Sequence, residues 1–185
     1  MVHLSKPNGK WQMGEWKSAE RSKRHDLQGP IGDAFNSRFL AVYGEGDRDL
    51  AIAELDAVRN PPGPMTIHAE FPMKPATKVT REDIESSNLI LFGTPDTNPV
   101  LKRIAPSLPA DLLKGGPDGV RSIFIYPNPE NASRYVLVWT AKLLSAPGAG
   151  LRNGWVMPVN LLPDYVLVKD GKVAAGGHFD NEWNR

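Results

Sequence analysis

Oxygen-bearing side chains cluster in three turns of this 185-residue chain. Each turn, at 43–47, 93–98 and 126–131, follows an apolar segment typical of a buried β-strand. If the three segments are neighbours in one sheet, the turns meet along one edge, where ligands of open α/β sheets bind. Their carboxylate and amide oxygens suit a hard cation or a hydroxyl-rich ligand. The candidate ligand-binding residues are Gly44, Glu45, Asp47, Gly93, Thr94, Asp96, Asn98, Asn128 and Glu130.

The same residue types also build tight turns, which gives the three turns a purely structural interpretation. Thr94, Asp96 and Asn98 would then turn the chain and cap the following helix. No spacing matches a calcium loop, and the phosphate-binding motif G-x-x-x-x-G-K-[ST] does not occur. The second turn could also bind an anion through the backbone N–H groups at the start of that helix. We favour the structural interpretation and keep ligand binding as the alternative.

A serine triad is the catalytic arrangement that the residue types allow. His178 and Asp180 would be its base and orienting carboxylate, but no serine lies in the G-x-S-x-G motif that exposes a hydrolase nucleophile. The histidines lack the H-E-x-x-H spacing of a zinc site. We therefore predict no catalytic residue, no metal and no cofactor. The serines considered are Ser37, Ser87 and Ser122, and the histidines are His3, His25, His68 and His178.

The composition is that of a globular protein. Hydrophobic residues make up 41% and charged residues 23%, and the net charge is +1. This charge gives no general attraction to nucleic acid or anionic membranes. Without cysteine, disulfides and thiolate metal sites are excluded, and no apolar run approaches the about 18 residues of a membrane span. We predict neither a nucleic-acid partner nor a membrane partner, and the N-terminus lacks the apolar core of a signal peptide.

The pattern of apolar residues predicts strands alternating with helices. Residues 89–92 form a continuous apolar run, typical of a strand covered on both faces. An amphipathic helix through residue 108 follows, with Asn98 as its cap. A strand at 38–43 and a helix at 47–58 capped by Asp47 come earlier. A capping box at Thr80 and Asp83 starts a short helix. The other predicted strands lie at 66–71, 122–126, 134–140, 164–168 and 172–175.

These elements predict a three-layer α/β fold, flavodoxin-like or Rossmann-like in outline. Its mixed sheet would have a parallel core within residues 38–126 and antiparallel strands toward the C-terminus. We divide the chain into an N-terminal arm at 1–30, which could end a preceding domain, and a single domain at 31–185. The arm contains Trp11 and Trp16 on either side of Gly14, a pattern that predicts a short hairpin or a strand.

Two further segments are assigned structural roles. The segment 29–35, GPIGDAF, predicts a tight bend that places Ile31 and Phe35 in the core. Asp33 is the one candidate for chemistry in this segment, and its carboxylate could equally satisfy backbone N–H groups of the bend. A short basic cluster is interpreted as a solvated tail rather than a phosphate-binding face. That cluster is Arg21, Lys23, Arg24 and His25.

Five phrases resemble a region that accompanies the catalytic domain of bacterial prolyl oligopeptidase-like serine hydrolases, which belong to the α/β-hydrolase superfamily. The resemblance covers nearly the whole chain from Leu27. The chain departs from the pattern of that family at two positions. Gly32 stands where the family has an acidic residue, and His178 stands after Gly177 where an aromatic residue is expected. The phrases are LQGPIGDAFNSRFLAVYG, SNLILFGTPDTNPVLKRIAPSLP, IYPNPENASRYVL, LPDYVLV and AAGGHFDNEW.

The resemblance implies a non-catalytic accessory or C-terminal domain, because the nucleophile motif is missing. Such a domain would act in packing, assembly or substrate access, beside a catalytic hydrolase domain in the same parent chain or in a homo-oligomer. A periplasmic or secreted location would follow from that parent. A small-ligand or cation-binding module that uses the three turns is the alternative, and a self-contained serine hydrolase ranks third.

Overall fold

The computed structural model describes residues 2–15, 22–60, 69–147 and 157–185. The strands are β1 Val2–Ser5, β2 Gln12–Glu15, β3 Phe39–Tyr43, β4 Met73–Pro75, β5 Asn88–Phe92, β6 Arg121–Asn128, β7 Asn131–Trp139, β8 Tyr165–Lys169 and β9 Lys172–Gly177. The α-helices are α1 Arg48–Arg59, α2 Arg81–Ser86, α3 Pro99–Ile104 and α4 Ala110–Lys114. Short 3-10 turns connect several of these elements.

Seven strands form one mixed sheet in the order β4-β3-β5-β7-β6-β8-β9. Neighbouring strands are parallel within the series β4-β3-β5-β7. The remaining pairs are antiparallel: β7 with β6, β6 with β8, and β8 with β9. The predicted α/β class with a mixed sheet is therefore confirmed. We call the edge at which the four parallel strands end the carboxyl edge, and the opposite one the amino edge.

The core is centred on β5, as the apolar run predicted. Every residue of β5 is buried, which requires cover on both faces of the sheet. Leu89 lies opposite Val136 of β7, and Phe92 lies opposite both Tyr43 of β3 and Trp139 of β7. Edge strand β9 is the opposite case, since its residues are mostly exposed. Burial thus falls from the centre of the sheet toward this edge.

The parallel core differs from the prediction because β7, not β6, lies beside β5. One helix after β5 would leave the chain at the amino edge, ready for another parallel strand. Instead α3 is followed by α4, whose Leu112 carbonyl accepts a hydrogen bond from Ser122 at the start of β6. The chain therefore re-enters the sheet from the carboxyl edge, and β6 runs antiparallel to β7.

Helix α1 carries a buried carboxylate on its core-facing side. Ala51, Glu54, Leu55 and Val58 are buried, and Glu54 is 0% exposed. Its oxygens accept hydrogen bonds from the backbone N–H groups of Leu143, Leu144 and Ser145 and from the Ser145 hydroxyl, at 2.5–3.1 Å. This carboxylate ties the helix to the chain that leaves β7.

Helix α2 begins with the predicted capping box. The Thr80 hydroxyl accepts from the Asp83 backbone N–H, and the Asp83 carboxylate accepts from the Thr80 backbone N–H at 2.9 Å. Lys74 Nζ of β4 lies 2.8 Å from both carboxylate oxygens. Burial opposes ionisation, but the hydrogen bonds from Lys74 and Thr80 outweigh it and lower the pKa of Asp83.

Acid should remove the contribution of Asp83 to stability. A carboxyl group with a lowered folded pKa stabilises the fold above its unfolded pKa of about 4, and this stabilisation is lost as pH falls through the folded value. Asp83→Asn should therefore cost about 1–2 kcal/mol near neutral pH and less at pH below about 4. Urea unfolding of both proteins from neutral to acidic pH measures this difference. A cost that does not change with pH would contradict the assignment, and exposed Glu85→Gln is the control.

Several local predictions need correction. Residues 69–71 are not a strand, and β4 lies at Met73–Pro75; the rest of the predicted strand, at 66–68, lies outside the described residues. Helix α3 ends at Ile104 and continues as a 3-10 turn, because Pro106 has no N–H with which to extend the α-helix. Asp47 occupies the cap position of α1 but makes no capping hydrogen bond with its side chain.

The N-terminal segment also departs from the prediction of a solvated basic tail. Lys23 is only 16% exposed in its side chain, and its Nζ lies 2.6 Å from buried Asp164. The Arg24 guanidinium donates to the Ala132 carbonyl, whereas His25 is exposed as predicted. Leu27 belongs to the core. Arg21 lies outside the described residues.

Candidate functional site

A cavity of about 550 Å³ opens at the carboxyl edge, between the loops that follow β3, β4 and β5. The chain passes from β3 to β4 on one side and then to β5 on the other side of β3. Loops that diverge in this way leave a crevice at the strand ends, which is the usual ligand position in open α/β sheets. The volume lies within the range of small-molecule sites.

The first two predicted turns meet at this cavity. Glu45 N–H donates to the Thr97 carbonyl at 2.9 Å, and Gly44 N–H donates to the Phe92 carbonyl at 3.1 Å. Gly44, Glu45 and Asp96 line the cavity. The remaining predicted residues of these turns lie behind the lining and build the loops; they are Asp47, Gly93, Thr94 and Asn98.

Asn98 joins both loops to the sheet. The side chain is 0% exposed, and its Nδ2 donates to the carbonyls of Val42 and Phe92 at 3.3 and 3.0 Å. Its Oδ1 accepts from the backbone N–H groups of Val100 and Leu101 at the start of α3. The predicted helix cap is confirmed, and the same amide holds the ends of β3 and β5 together.

Asp47 packs under the cavity against a glycine that no other residue could replace without strain. Gly93 has φ +107°, and a Cβ there would overlap Asp47 Oδ2 and Thr97 Oγ1. Asp47 Oδ2 is buried without a hydrogen-bond partner among the described residues. This close packing of Asp47 and Gly93 with Thr97 lies directly behind the lining of the cavity.

Charged groups of both signs surround the cavity. Arg48 and Lys102 supply cations, and Glu45 and Asp96 supply carboxylates. All four side chains belong to exposed residues, and within the described ranges none of them forms an ion pair. Tyr43 and prolines 75, 95 and 99 provide the less polar part of the lining.

The third predicted turn is not part of this site. Asn128 and Glu130 lie in the β6–β7 turn at the amino edge, where Asn128 pairs with Asn131. Glu130 forms a two-point ion pair with Arg103, near the end of α3, at 2.6 and 2.7 Å. The expectation that all three turns converge was wrong, because β6 enters the sheet from the opposite direction.

The structure does not assemble the triad considered from the sequence. His178 Nδ1 lies 3.3 Å from Asp164, whereas Asp180 accepts from the backbone N–H groups of Glu182 and Asn184. Ser122 Oγ is committed to the Leu112 carbonyl.

The other two serines are also far from that histidine. Ser87 precedes β5 and His178 follows β9, so four strand spacings, about 19 Å, separate them. Ser37, before β3, is one strand further away and accepts from Asn88 Nδ2.

A buried polar cluster at the amino edge escaped the sequence prediction. Asp164 is 1% exposed and accepts from Lys23 Nζ and from the Phe179 backbone N–H. The Tyr135 hydroxyl donates to Asp33 at 3.2 Å and accepts from Gly29 N–H. Asp33 therefore satisfies a side chain rather than the backbone of its own bend.

The Tyr135 hydroxyl stays protonated at ordinary pH. Burial raises the pKa of Tyr135 well above its usual range, and the negative charge of Asp33 raises it further against the lowering effect of the Gly29 N–H. Lys23 lies 5.1 Å from the ring centre of Trp183, which is 1% exposed. These contacts join the N-terminal segment to the C-terminal tail, so we assign the cluster a structural role.

Comparison with known proteins gives no match among family models, curated proteins or solved structures. Among the described residues, no group of three or more histidine, aspartate or glutamate side chains is placed to hold a metal ion. Nor does any helix in the described ranges have the length and apolar character needed to cross a bilayer.

Proposed function

We propose that this chain is a small-ligand-binding α/β module whose site is the cleft at the carboxyl edge. The observation that carries the proposal is the cavity of about 550 Å³ between diverging strand-end loops. We also propose a flavodoxin-like, three-layer arrangement; the strand order β4-β3-β5 supports it, because flavodoxin-like sheets place the second strand and the third strand on opposite sides of the first. The antiparallel β6 distinguishes this chain from an all-parallel sheet.

The ligand would be a small zwitterion with an apolar body, such as an amino acid or a short peptide. Arg48 and Lys102 would attract its carboxylate, and Glu45 and Asp96 its ammonium group. The proline and tyrosine surfaces of the lining would contact the apolar part. A bound cation alone is less well supported, because Asn128 and Glu130, which were to complete its oxygen ligands, lie at the other edge.

Titration calorimetry with free amino acids and dipeptides tests this proposal. The double variant Arg48→Glu/Lys102→Glu should weaken binding about tenfold, because exposed charge pairs each contribute up to about 1 kcal/mol. Arg38→Glu/Lys114→Glu is the matched control, since it makes the same change of net charge away from the cleft. Equal affinities for the two double variants would contradict the proposal, as would a panel in which nothing binds.

We also propose that the module serves as an accessory domain of a prolyl oligopeptidase-like hydrolase. The β1–β2 hairpin favours a docking role, because Leu4, Trp11 and Met13 are 61%, 68% and 75% exposed. Leu4 and Met13 pair across the hairpin, so they share one face. An apolar face on a two-stranded hairpin is suited to covering by a second domain. Buried Trp183 does not join this face, and Trp16 lies outside the described residues.

Truncating Trp11 should leave the stability of the isolated chain nearly unchanged. Its indole is mostly in water, and Lys6 Nζ lies 5.4 Å from the ring centre. Trp11→Ala should therefore shift the unfolding free energy by less than about 0.5 kcal/mol. Denaturant unfolding measures this shift. A loss of several kcal/mol would show that the indole is part of the folded core and would remove the docking argument.

The genomic reading frame provides the test of the accessory role. A frame that continues into a G-x-S-x-G domain supports the role, and Trp11→Ala/Met13→Ala should then weaken association with that domain expressed separately. A frame without such a domain would contradict it. Self-association through the hairpin instead would point to a homo-oligomer.

A further inference from the structure

The apolar part of the carboxyl-edge cleft is built from ring side chains. Tyr43 and prolines 75, 95 and 99 supply these rings. Among the described residues, no leucine, isoleucine, valine or methionine lines the cavity, and Ala76 is the one small aliphatic side chain that does. Proline and tyrosine rings are rigid and present flat surfaces, whereas branched aliphatic side chains present uneven ones. The lining is therefore suited to the flat face of a ligand.

The rings come from three neighbouring strand ends. The strand order β4-β3-β5 places Tyr43, the last residue of β3, between Pro75, the last residue of β4, and the loop that follows β5. Tyr43 lies opposite Pro75 in the parallel pair, so the two side chains lie on the same face of the sheet, on strands about 4.8 Å apart. Pro95 and Pro99 line the cavity from the other side of Tyr43. Tyr43 is thus the central ring of the apolar wall.

An aromatic ring is the ligand group that gains most from such a wall. The face of an aromatic ring carries partial negative charge, and its edge carries partial positive charge. The C–H groups of proline next to its amide nitrogen are weak donors that suit the face of the ring. Tyr43 adds an aromatic pair, which strengthens binding about two- to tenfold beyond the burial of area. A saturated ring of the same size buries a similar area but lacks these contacts.

We propose that the ligand of the cleft is an amino acid with an aromatic side chain. This inference rests on the zwitterion site proposed above and adds the class of side chain that the site selects. The aromatic ring packs against Tyr43 and Pro75, while the carboxylate and ammonium groups pair with the charged side chains of the lining. A cavity of about 550 Å³ has room for such a ligand with bridging water.

L-Phenylalanine is the probe, and L-cyclohexylalanine is the matched comparison. The two amino acids carry the same charged groups and rings of similar size, but the cyclohexyl ring is saturated and more apolar. Titration calorimetry at constant ionic strength should show that phenylalanine binds about three- to tenfold more tightly. Equal or tighter binding of cyclohexylalanine would overturn the aromatic preference and leave the zwitterion site in place. A panel of amino acids and dipeptides in which nothing binds would overturn both proposals.

Two substitutions assign the preference to the ring wall. Tyr43→Leu replaces the central ring by an apolar side chain, and Pro95→Ala removes a ring from the β5–α3 loop. Each should bring the affinity ratio of phenylalanine to cyclohexylalanine closer to one, and Tyr43→Leu should have the larger effect. The ratio is measured within one variant, so a general loss of affinity or stability cancels. Pro129→Ala, at the exposed β6–β7 turn of the amino edge, is the control and should keep the ratio. An unchanged ratio in Tyr43→Leu would overturn the proposal.

Discussion

Replacing Glu54 by alanine should destabilise the protein by about 3–5 kcal/mol, because removing one partner of a buried charged network leaves the other groups without compensation. Three backbone N–H groups and one hydroxyl between Leu143 and Ser145 donate to this carboxylate. Leu143 is 1% exposed, so water cannot readily replace the lost acceptor.

Equilibrium unfolding in urea measures the effect, and the midpoint should fall with little change in slope. Glu54→Gln should give an intermediate loss, since it retains the size and one oxygen but brings an amide donor toward N–H groups. Asp49→Ala, on the exposed side of the same helix, is the control and should change stability by no more than about 0.5 kcal/mol. If Glu54→Ala also changed stability by no more than about 0.5 kcal/mol, the buried contacts described for Glu54 would be wrong.

Asn98→Ala should cost about 3 kcal/mol or more. The substitution removes a helix cap, which alone is worth about 1 kcal/mol, and also leaves the carbonyls of Val42 and Phe92 without their side-chain donor. Because this amide also positions the loops of the cleft, ligand affinity should fall together with stability. Thermal and urea unfolding measure the first effect, and calorimetric titration measures the second.

Asn98→Asp separates the two roles of the amide. A carboxylate still accepts from Val100 and Leu101 N–H, but it cannot donate to the strand carbonyls. We expect a loss of more than about 1 kcal/mol. Stability equal to that of the unsubstituted chain would mean that capping alone matters. Exposed Asn36→Ala is the control and should have a small effect.

Elements defined by local patterns could be predicted from the sequence. The apolar run at 89–92, the Thr80 capping box and the Asn98 cap each depend on residues close together in the chain, and all three are confirmed. The last hairpin is confirmed for the same reason, because Asp170 and Gly171 adopt the positive φ values that its tight turn requires.

The arrangement of the sheet could not be read in this way. Pairing of β5 with β7 joins residues that are 47 positions apart in the chain, such as Leu89 and Val136. No local pattern indicates which strand of the β6–β7 hairpin lies beside β5. The five-residue α4 reverses the direction of β6. This single reversal places Asn128 and Glu130 away from the other predicted site residues.

Buried polar side chains were also missed, although one of them left a signal. Glu54 occupies the apolar stripe formed by Ala51, Leu55 and Val58, and a carboxylate in such a stripe needs buried donors. Its donors lie 89–91 residues away, beyond any local pattern. Asp164 likewise depends on Lys23 and Phe179, which only the folded chain brings together.

Binding of a small zwitterion in the carboxyl-edge cleft can be tested by NMR shift mapping with the panel of amino acids and dipeptides. We expect shifts confined to residues 43–48, 76–77, 96–98 and 102, which line the cleft or lie directly behind its lining. Thr77→Trp, which fills the rim, should lower affinity at least about tenfold, whereas adjacent Lys78→Trp should not. Shifts centred elsewhere, or equal binding by the two tryptophan variants, would contradict the claim.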